Sequence, residues 1–358
     1  MKNCSKQELK KILLEKKLPS HDDILQLCDS VSEFLDTEIT WYRQACDIGA
    51  PGCLLDFQSG DLPTIVVPDL HGRGHFLFDI INFKLPHDFL KGKSSVSKAS
   101  SCRKSGLTVL KALEKGLIRL IFVGDILHTE RNTKTRWLLA QEDYIQENFT
   151  GEAMSAEMAE SLSLWYGVFY LKQSFPENCH ILKGNHENIL NASVNGDFSF
   201  RKFANEGAMV KAFVQEYYGD DVIYMIHCVE DALPLVVVTN QCVISHAEPY
   251  SGFSKEKIIN GKKYPNVVSG LTWTDNDQAQ ENSVINVIKN LAAGENIDDY
   301  VYLGGHRCVT GKYEYRQNGR FIQIHNPGEE NVALVYLGRK FNPEYDLVSV
   351  SSCKDKKK

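Results

Sequence analysis

A chain of 358 residues, 43% of them apolar and 24% charged, can bury a sizeable core, which excludes collagen-like, wholly disordered and membrane-embedded classes. A formal net charge of −6 leaves no global basic footprint, so nucleic acid is not an expected partner. The ten cysteines show no CxxC pairing, the first residues lack an apolar signal core, and no run reaches the roughly 18 apolar residues of a membrane span. A cytoplasmic location without disulfides or membrane contact is expected, each cysteine serving as a small buried hydrophobe.

In chain order, Ser20 or Asp22 caps an amphipathic helix over residues 21–46, carried by Ile24, Leu25, Leu27, Cys28, Val31, Phe34 and Leu35 and ended by Gly49 to Gly52. From Leu62 the pattern becomes short apolar runs that read as strands, at 64–69, 117–125, 180–185, 234–246 and 300–306. Helical periodicity separates them at 107–115, 156–174, 203–217 and 283–292. Such alternation predicts an α/β fold with helices against a mixed sheet. Two stretches lack period: the Ser/Lys-rich 91–106, expected as a loop, and the polar 140–156. The expected organisation is an N-terminal helical segment, 1–61, packed on one catalytic domain, 62–345, followed by a basic disordered tail, 346–358.

Five strand-like runs each end in a residue that can bind metal or move protons: Pro68–Gly72 (PDLHG), Gly124–Asp125, Gly184–Glu187 (GNHE), Ser245–Pro249 (SHAEP) and Gly304–Arg307 (GGHR). Carboxyl ends of strands are where sites assemble in α/β sheets. Asp69 and His71 stand two apart, so a strand reaching His71 projects both to one side of a single ion. Asp125 is placed to bridge, and Asn185, His246 and His306 complete the shell of a second ion. Mixed oxygen and imidazole donors suit Mn, Fe or Zn.

Two such ions, about 3.5–4 Å apart, clamp the oxygens of an in-line displacement and generate hydroxide at neutral pH. Gly72, Gly124, Gly184 and Gly305 let the backbone approach ions and phosphate closely. His186 is the expected general acid, and Glu187 orients its neighbours. Any one of these strings is weak evidence in a chain with 11 histidines and 46 acids. Their joint occurrence, each after an apolar run, is what points to a metal centre.

The order DxHG, GD, GNHE, H, GH resembles the calcineurin-like metallophosphoesterases. Further strings narrow the resemblance to serine/threonine phosphoprotein phosphatases: LPLVVVTNQCVISHAEP, GLTWTDND (270–277), FIQIHNPGEENVALVYL (321–337) and ILQLCDSVSEFL. It spans most of residues 20–340. The resemblance implies a central β-sandwich flanked by helices, with a dinuclear site at the strand ends and the ligands and acid named above. It also implies hydrolysis of phosphomonoesters, in a phosphorylated protein or small phosphoester, by a metal-bound hydroxide.

One motif departs. The family's GDxxDRG reads here Gly124, Asp125, Ile126, Leu127, His128, Thr129, Glu130, losing the aspartate that orients the catalytic histidine and the arginine that grips phosphate. Arg131, Arg136 and Arg307 are candidates to replace the arginine, a role that typically carries much of catalysis. His128 or Glu130 is a candidate to orient His186, and His128 joins Arg131 and Arg307 as a substrate-binding candidate. Ala247 and Glu248 reshape the wall beside His246, and Trp273 reads as a core aromatic. The rival functions are a dinucleoside polyphosphate hydrolase and a pseudo-phosphatase that only binds.

Overall fold

Short β-branched and aliphatic runs alternate in which side they bury, and that alternation sets the layers. In the computed structural model, residues 4–60, 62–91, 104–293 and 297–351 are described. The first strands are β1 (Leu54–Asp56), β2 (Thr64–Val67), β3 (Lys84–Pro86), β4 (Lys104–Thr108), β5 (Arg119–Phe122) and β6 (Cys179–Ile181). They are followed by β7 (Val236–Val238), β8 (Cys242–Ser245), β9 (Val301–Gly304), β10 (Glu314–Arg316), β11 (Phe321–Gln323), β12 (Asn331–Val335) and β13 (Leu347–Ser349).

One sheet has the order β1-β7-β8-β9-β11-β10 and the other β13-β12-β2-β5-β6. Between them Val66, Ile121, Leu182, Ile244, Leu303 and Ile322 share one buried layer. Their strand neighbours point the other way, because successive side chains of a strand face opposite sides. Ile65, Val67, Leu120 and Phe122 meet one helical layer, and Val236, Val243 and Tyr302 meet another. A four-layer α/β/β/α sandwich results, as the resemblance implied.

The first helical layer includes α1 (Lys6–Glu15), α2 (His21–Thr37), α3 (Gly74–Asn82), α4 (Val109–Glu114), α5 (Lys134–Ile145), α6 (Glu152–Ser174), α7 (Glu206–Tyr218) and α8 (Asp220–Asp231). The second contains α9 (Lys255–Ile259), α10 (Pro265–Thr272) and α11 (Ser283–Leu291). Among the described residues no helix is long and apolar enough to cross a membrane.

Several boundaries differ from expectation. Helix α2 is capped by Ser20, whose Oγ accepts from Asp23 N at 3.2 Å, and it stops at Thr37 rather than near residue 46. The chain turns there to bury a charge network. The Arg43 guanidinium donates to Glu38 at 2.7 Å and to the carbonyls of Gly52 and Ala232, both at 2.8 Å, while Lys172 Nζ reaches Glu38 at 3.0 Å. Stretch 140–156 is largely helical: α5 buries only Trp137 and Ala140, so its sequence carries little period. Of the 91–106 stretch, 92–103 lies outside the described residues, and Lys104 opens a strand paired with β3. The expected tail begins in the sheet, because Leu347 is buried and pairs with Ala333 on β12. Likewise β1, inside the expected helical segment, pairs in parallel with β7.

Candidate metal centre

Strands β2, β5 and β6 are parallel and level, with Val67 opposite Phe122 and Phe122 opposite Ile181. In the other sheet β8, β9 and β11 are parallel, with Ile244 opposite Leu303 and Gly304 opposite Gln323. Six carboxyl ends therefore open onto one edge of the sandwich. Asp69, Asp125, Asn185 with His186, His246 and His306 leave five of them, and all converge.

The Asp125 carboxylate is the hub. Its Oδ2 lies 3.6 Å from His71 Nε2, 3.6 Å from His186 Nε2 and 3.5 Å from His246 Nε2. Its Oδ1 accepts from the His186 backbone N–H at 3.0 Å. On the far side Asn185 Oδ1 stands 2.9 Å from His246 Nε2 and 2.8 Å from His306 Nδ1. His246 Nδ1 sits 3.1 Å from the Val123 carbonyl, and His71 Nδ1 3.1 Å from that of His128. As donors to those carbonyls, both rings turn an Nε2 lone pair inward, the arrangement of metal-binding histidines.

Expectation and structure differ on how Asp69 and His71 meet. Strand β2 ends at Val67, so pleat alternation does not align them. Instead His71 adopts a left-handed φ of 41° and swings its ring back to within 3.8 Å of Asp69 Oδ2. Asp125, His128 and His306 are left-handed too, at φ 53°, 74° and 65°. Strained backbone concentrated at strand ends marks a site whose geometry is over-determined by its surroundings. Part of that determination comes from Glu187, whose buried carboxylate accepts from the N–H groups of Asp125 and Gly184 at 2.8 Å and of Ile126 at 2.9 Å. It orients its neighbours, as its position suggested.

Burial pushes His71 down to about 3 and His246 to about 4, and it holds His186 and His306 well below the usual imidazole range. Neutral imidazole is the form that binds metal. Burial, then Asp69 and Glu187, raises Asp125 well above the usual carboxylate range. Asp69 is held low: burial opposes its charge, but His325, His246 and His71 outweigh it. Among the described residues, buried Asp69 Oδ1 has no hydrogen-bond partner, nor does His306 Nε2. Buried polar atoms rarely stay unpaired. Unpaired oxygen and nitrogen donors around a buried carboxylate fit divalent cations of the borderline class. The ligating atoms of Asp69, His71 and His325 lie within 4.8 Å of one another, as do those of Asp125, His246 and His306.

The altered motif resolves differently from expectation. His128 does not line the cleft and offers a substrate no contact. It is buried behind His186, ring centroids 4.9 Å apart, and packs on Trp137 at 5.0 Å. Its Nε2 lies 3.5 Å from Glu206 Oε1. Neither His128 nor Glu130 hydrogen-bonds His186, whose Nδ1 has no hydrogen-bond partner among the described residues; the ring stacks on Phe200, centroids 4.0 Å apart. Arg136 is taken by Glu157 and by Glu160 at 3.2 Å, and Arg131 is exposed away from the cleft.

Arg307 does line the cleft, paired with Asp275. Trp273 is only half-buried and forms part of the wall. Arg201, Lys202, Phe200 and Cys308 also line it, and none was foreseen. Cys308 is exposed, unlike the buried hydrophobe expected of it. His325 was missed as well, although FIQIH is another apolar run ending in a histidine and follows the same rule as the other five.

No family model matches the chain. Among solved structures it is similar to a protein serine/threonine phosphatase from Saccharomyces cerevisiae with similarity to human phosphatase PP5, at 14% identity over 96% of this chain and 95% of that one, with a TM-score of 0.56. It also overlaps a cold-active protein-tyrosine phosphatase of a psychrophilic Shewanella species, at 12% identity over 79% of this chain and 76% of that one, with a TM-score of 0.42. The first likeness establishes a shared fold.

Proposed function

We propose that this chain is a metal-dependent phosphoesterase of the serine/threonine protein phosphatase kind, hydrolysing phosphomonoesters. Asp69, His71, Asp125, Asn185, His246 and His306 would hold two divalent ions of Mn, Fe or Zn. One observation carries the reading: a single carboxylate oxygen of Asp125 faces imidazoles from three strand ends within 3.6 Å, beside a buried, unpaired Asp69 oxygen. Ions at that position would supply Lewis acidity to a water and to phosphoryl oxygens.

The chain's own groups do the rest. His186, at the cleft floor and neutral at rest because it is buried, passes to the leaving oxygen a proton taken from the attacking water. Arg201 and Arg307 on the rim receive the phosphate charge in place of the missing motif arginine. Among the described residues no ion pair engages Arg201, so its guanidinium is free to turn to an anion. The cavity measures about 70 Å³. That is far below the roughly 300–1,000 Å³ of sites that engulf a small molecule, and favours a phosphoryl group reaching in from a larger substrate.

The test is hydrolysis of phosphopeptide, p-nitrophenyl phosphate and diadenosine tetraphosphate with Mn²⁺. Turnover of the first two is expected. Cleavage of diadenosine tetraphosphate alone makes the chain a dinucleoside polyphosphate hydrolase, and no cleavage by metal-loaded protein makes it a pseudo-phosphatase. His186→Asn should lower kcat by about 10²–10⁴ while leaving metal content intact, the usual worth of a general acid. An unchanged rate removes His186 from that role.

A further inference from the structure

We propose that Glu130, Cys308 and His325 form a third metal site, for a zinc-like divalent cation, on the wall of the cleft beside the proposed pair. Glu130 Oε2 lies 3.9 Å from Cys308 Sγ and 3.9 Å from His325 Nε2, and the three ligating atoms fall within 4.8 Å of one another. A separation of 3.9 Å is too long for an N–H···O hydrogen bond. It is close to the spacing of ligands around a shared ion: bonds of about 2.0–2.3 Å in a tetrahedral zinc site leave neighbouring ligands roughly 3.3–3.8 Å apart.

His325 supplies the independent sign. It is fully buried, and among the described residues neither ring nitrogen has a hydrogen-bond partner. Its Nε2 faces Glu130, while its Nδ1 faces Asp69 Oδ2 at 3.9 Å. The ring therefore lies between Asp69 of the proposed pair and the third site. The backbone holds the set together, because Val309 N–H donates to the His325 carbonyl at 2.9 Å and anchors the loop that carries Cys308.

Three protein ligands leave a tetrahedral ion one open position. Glu130 and Cys308 both line the cleft with His71 and Asp125, so that position faces the same cavity. It would take an anionic phosphate oxygen, the task of the arginine this motif lacks. Lys202 Nζ now sits 2.7 Å from Glu130 Oε2 and competes with the cation, and His71 Nε2 is 3.5 Å from Glu130 Oε1. The Lys202 side chain is 39% exposed and can swing clear.

The role in phosphate binding rests on the proposed function; the ligand set does not. Full-length protein saturated with Zn²⁺ and dialysed is expected to retain three ions per chain by elemental analysis, and Cys308→Ser and Glu130→Gln two each. With Co²⁺ in place of zinc, a thiolate-to-cobalt absorption band should appear in the wild type and vanish in Cys308→Ser. Lys202→Ala should bind the third ion roughly tenfold more tightly. Two ions in the wild type, unchanged in Cys308→Ser and without the thiolate band, overturn this site and leave the dinuclear reading standing. One ion, lost in Cys308→Ser but kept in Asp125→Asn, supports this site and overturns the dinuclear reading. Cys308 separates these outcomes cleanly, because its side chain is exposed and the fold does not need it.

Discussion

The imidazole of His186 stacks on the ring of Phe200, centroids 4.0 Å apart and planes 20° apart. Among the described residues no carboxylate hydrogen-bonds the imidazole, so this aromatic contact takes over the task of holding the ring. Stacked pairs are worth about 0.5–1.5 kcal/mol beyond their buried area, which as lost orientation corresponds to a roughly two- to twelvefold fall in kcat. Phe200→Leu should show that fall with KM and metal content little changed. A wild-type kcat would mean that another contact orients His186.

Gly305 follows β9 and packs directly on Asp69, so that a Cβ there would collide with the carboxylate. The obstacle is buried and pinned, because Asp69 Oδ2 also accepts from His306 N–H at 2.9 Å. Gly305→Ala is expected to displace Asp69 and weaken binding of one ion at least tenfold, about 1.4 kcal/mol. Titration with Mn²⁺ checks it, and wild-type affinity would show that the loop yields.

Glu38 joins the N-terminal segment to the core through Arg43 and Lys172, all three buried. Removing one partner of a buried ion pair leaves uncompensated charge and costs about 3–5 kcal/mol. Glu38→Ala should lose that much in urea unfolding. A loss below about 1 kcal/mol would mean that the cations find water or other partners.

Glu230 is fully buried, with Oε2 accepting from Ile189 N–H at 2.7 Å, and burial raises it to about 8 despite Lys183 nearby. The folded state therefore keeps a proton that the unfolded chain loses from about pH 4.5 upward. Stability from this group falls as pH rises through that window and levels off above pH 8, the penalty approaching roughly 4–5 kcal/mol. Glu230→Gln, which cannot ionise, should match the wild type near pH 4 and exceed it increasingly up to pH 8.5. Parallel stability curves across that range would contradict the assignment.

Cations bound only by the folded state stabilise it by mass action, about 2.7 kcal/mol at a hundredfold excess over Kd. Chelation should lower Tm, and Mn²⁺ should restore it. Asp125→Asn removes the hub ligand and should cut that response to what the Glu130, Cys308 and His325 site supplies. A variant that still responds fully would place the ions elsewhere.

Much of the site was readable because its signal is local. Asp69, Asp125, Asn185, His186, His246 and His306 each follow an apolar run, and strands of that composition align their carboxyl ends wherever parallel pairing brings them level. His325 obeys the same rule and was equally readable. Alternation of strands and helices gave the mixed α/β class and the family resemblance implied the sandwich, in which Ile65 and Val67 turn outward and Val66 inward.

Tertiary structure decided what depends on partners distant in the chain. Arg136 resembled a spare phosphate ligand until Glu157 and Glu160 took its charge, and His128 resembled a cleft residue until Trp137 and Phe200 enclosed it. Arg201 and Lys202 carry no periodic signal, and only packing sets them at the cleft. Strand ends are dictated by short-range sterics and hydrophobic alternation. The charge and orientation of a side chain at the rim depend on which distant carboxylate or ring reaches it first.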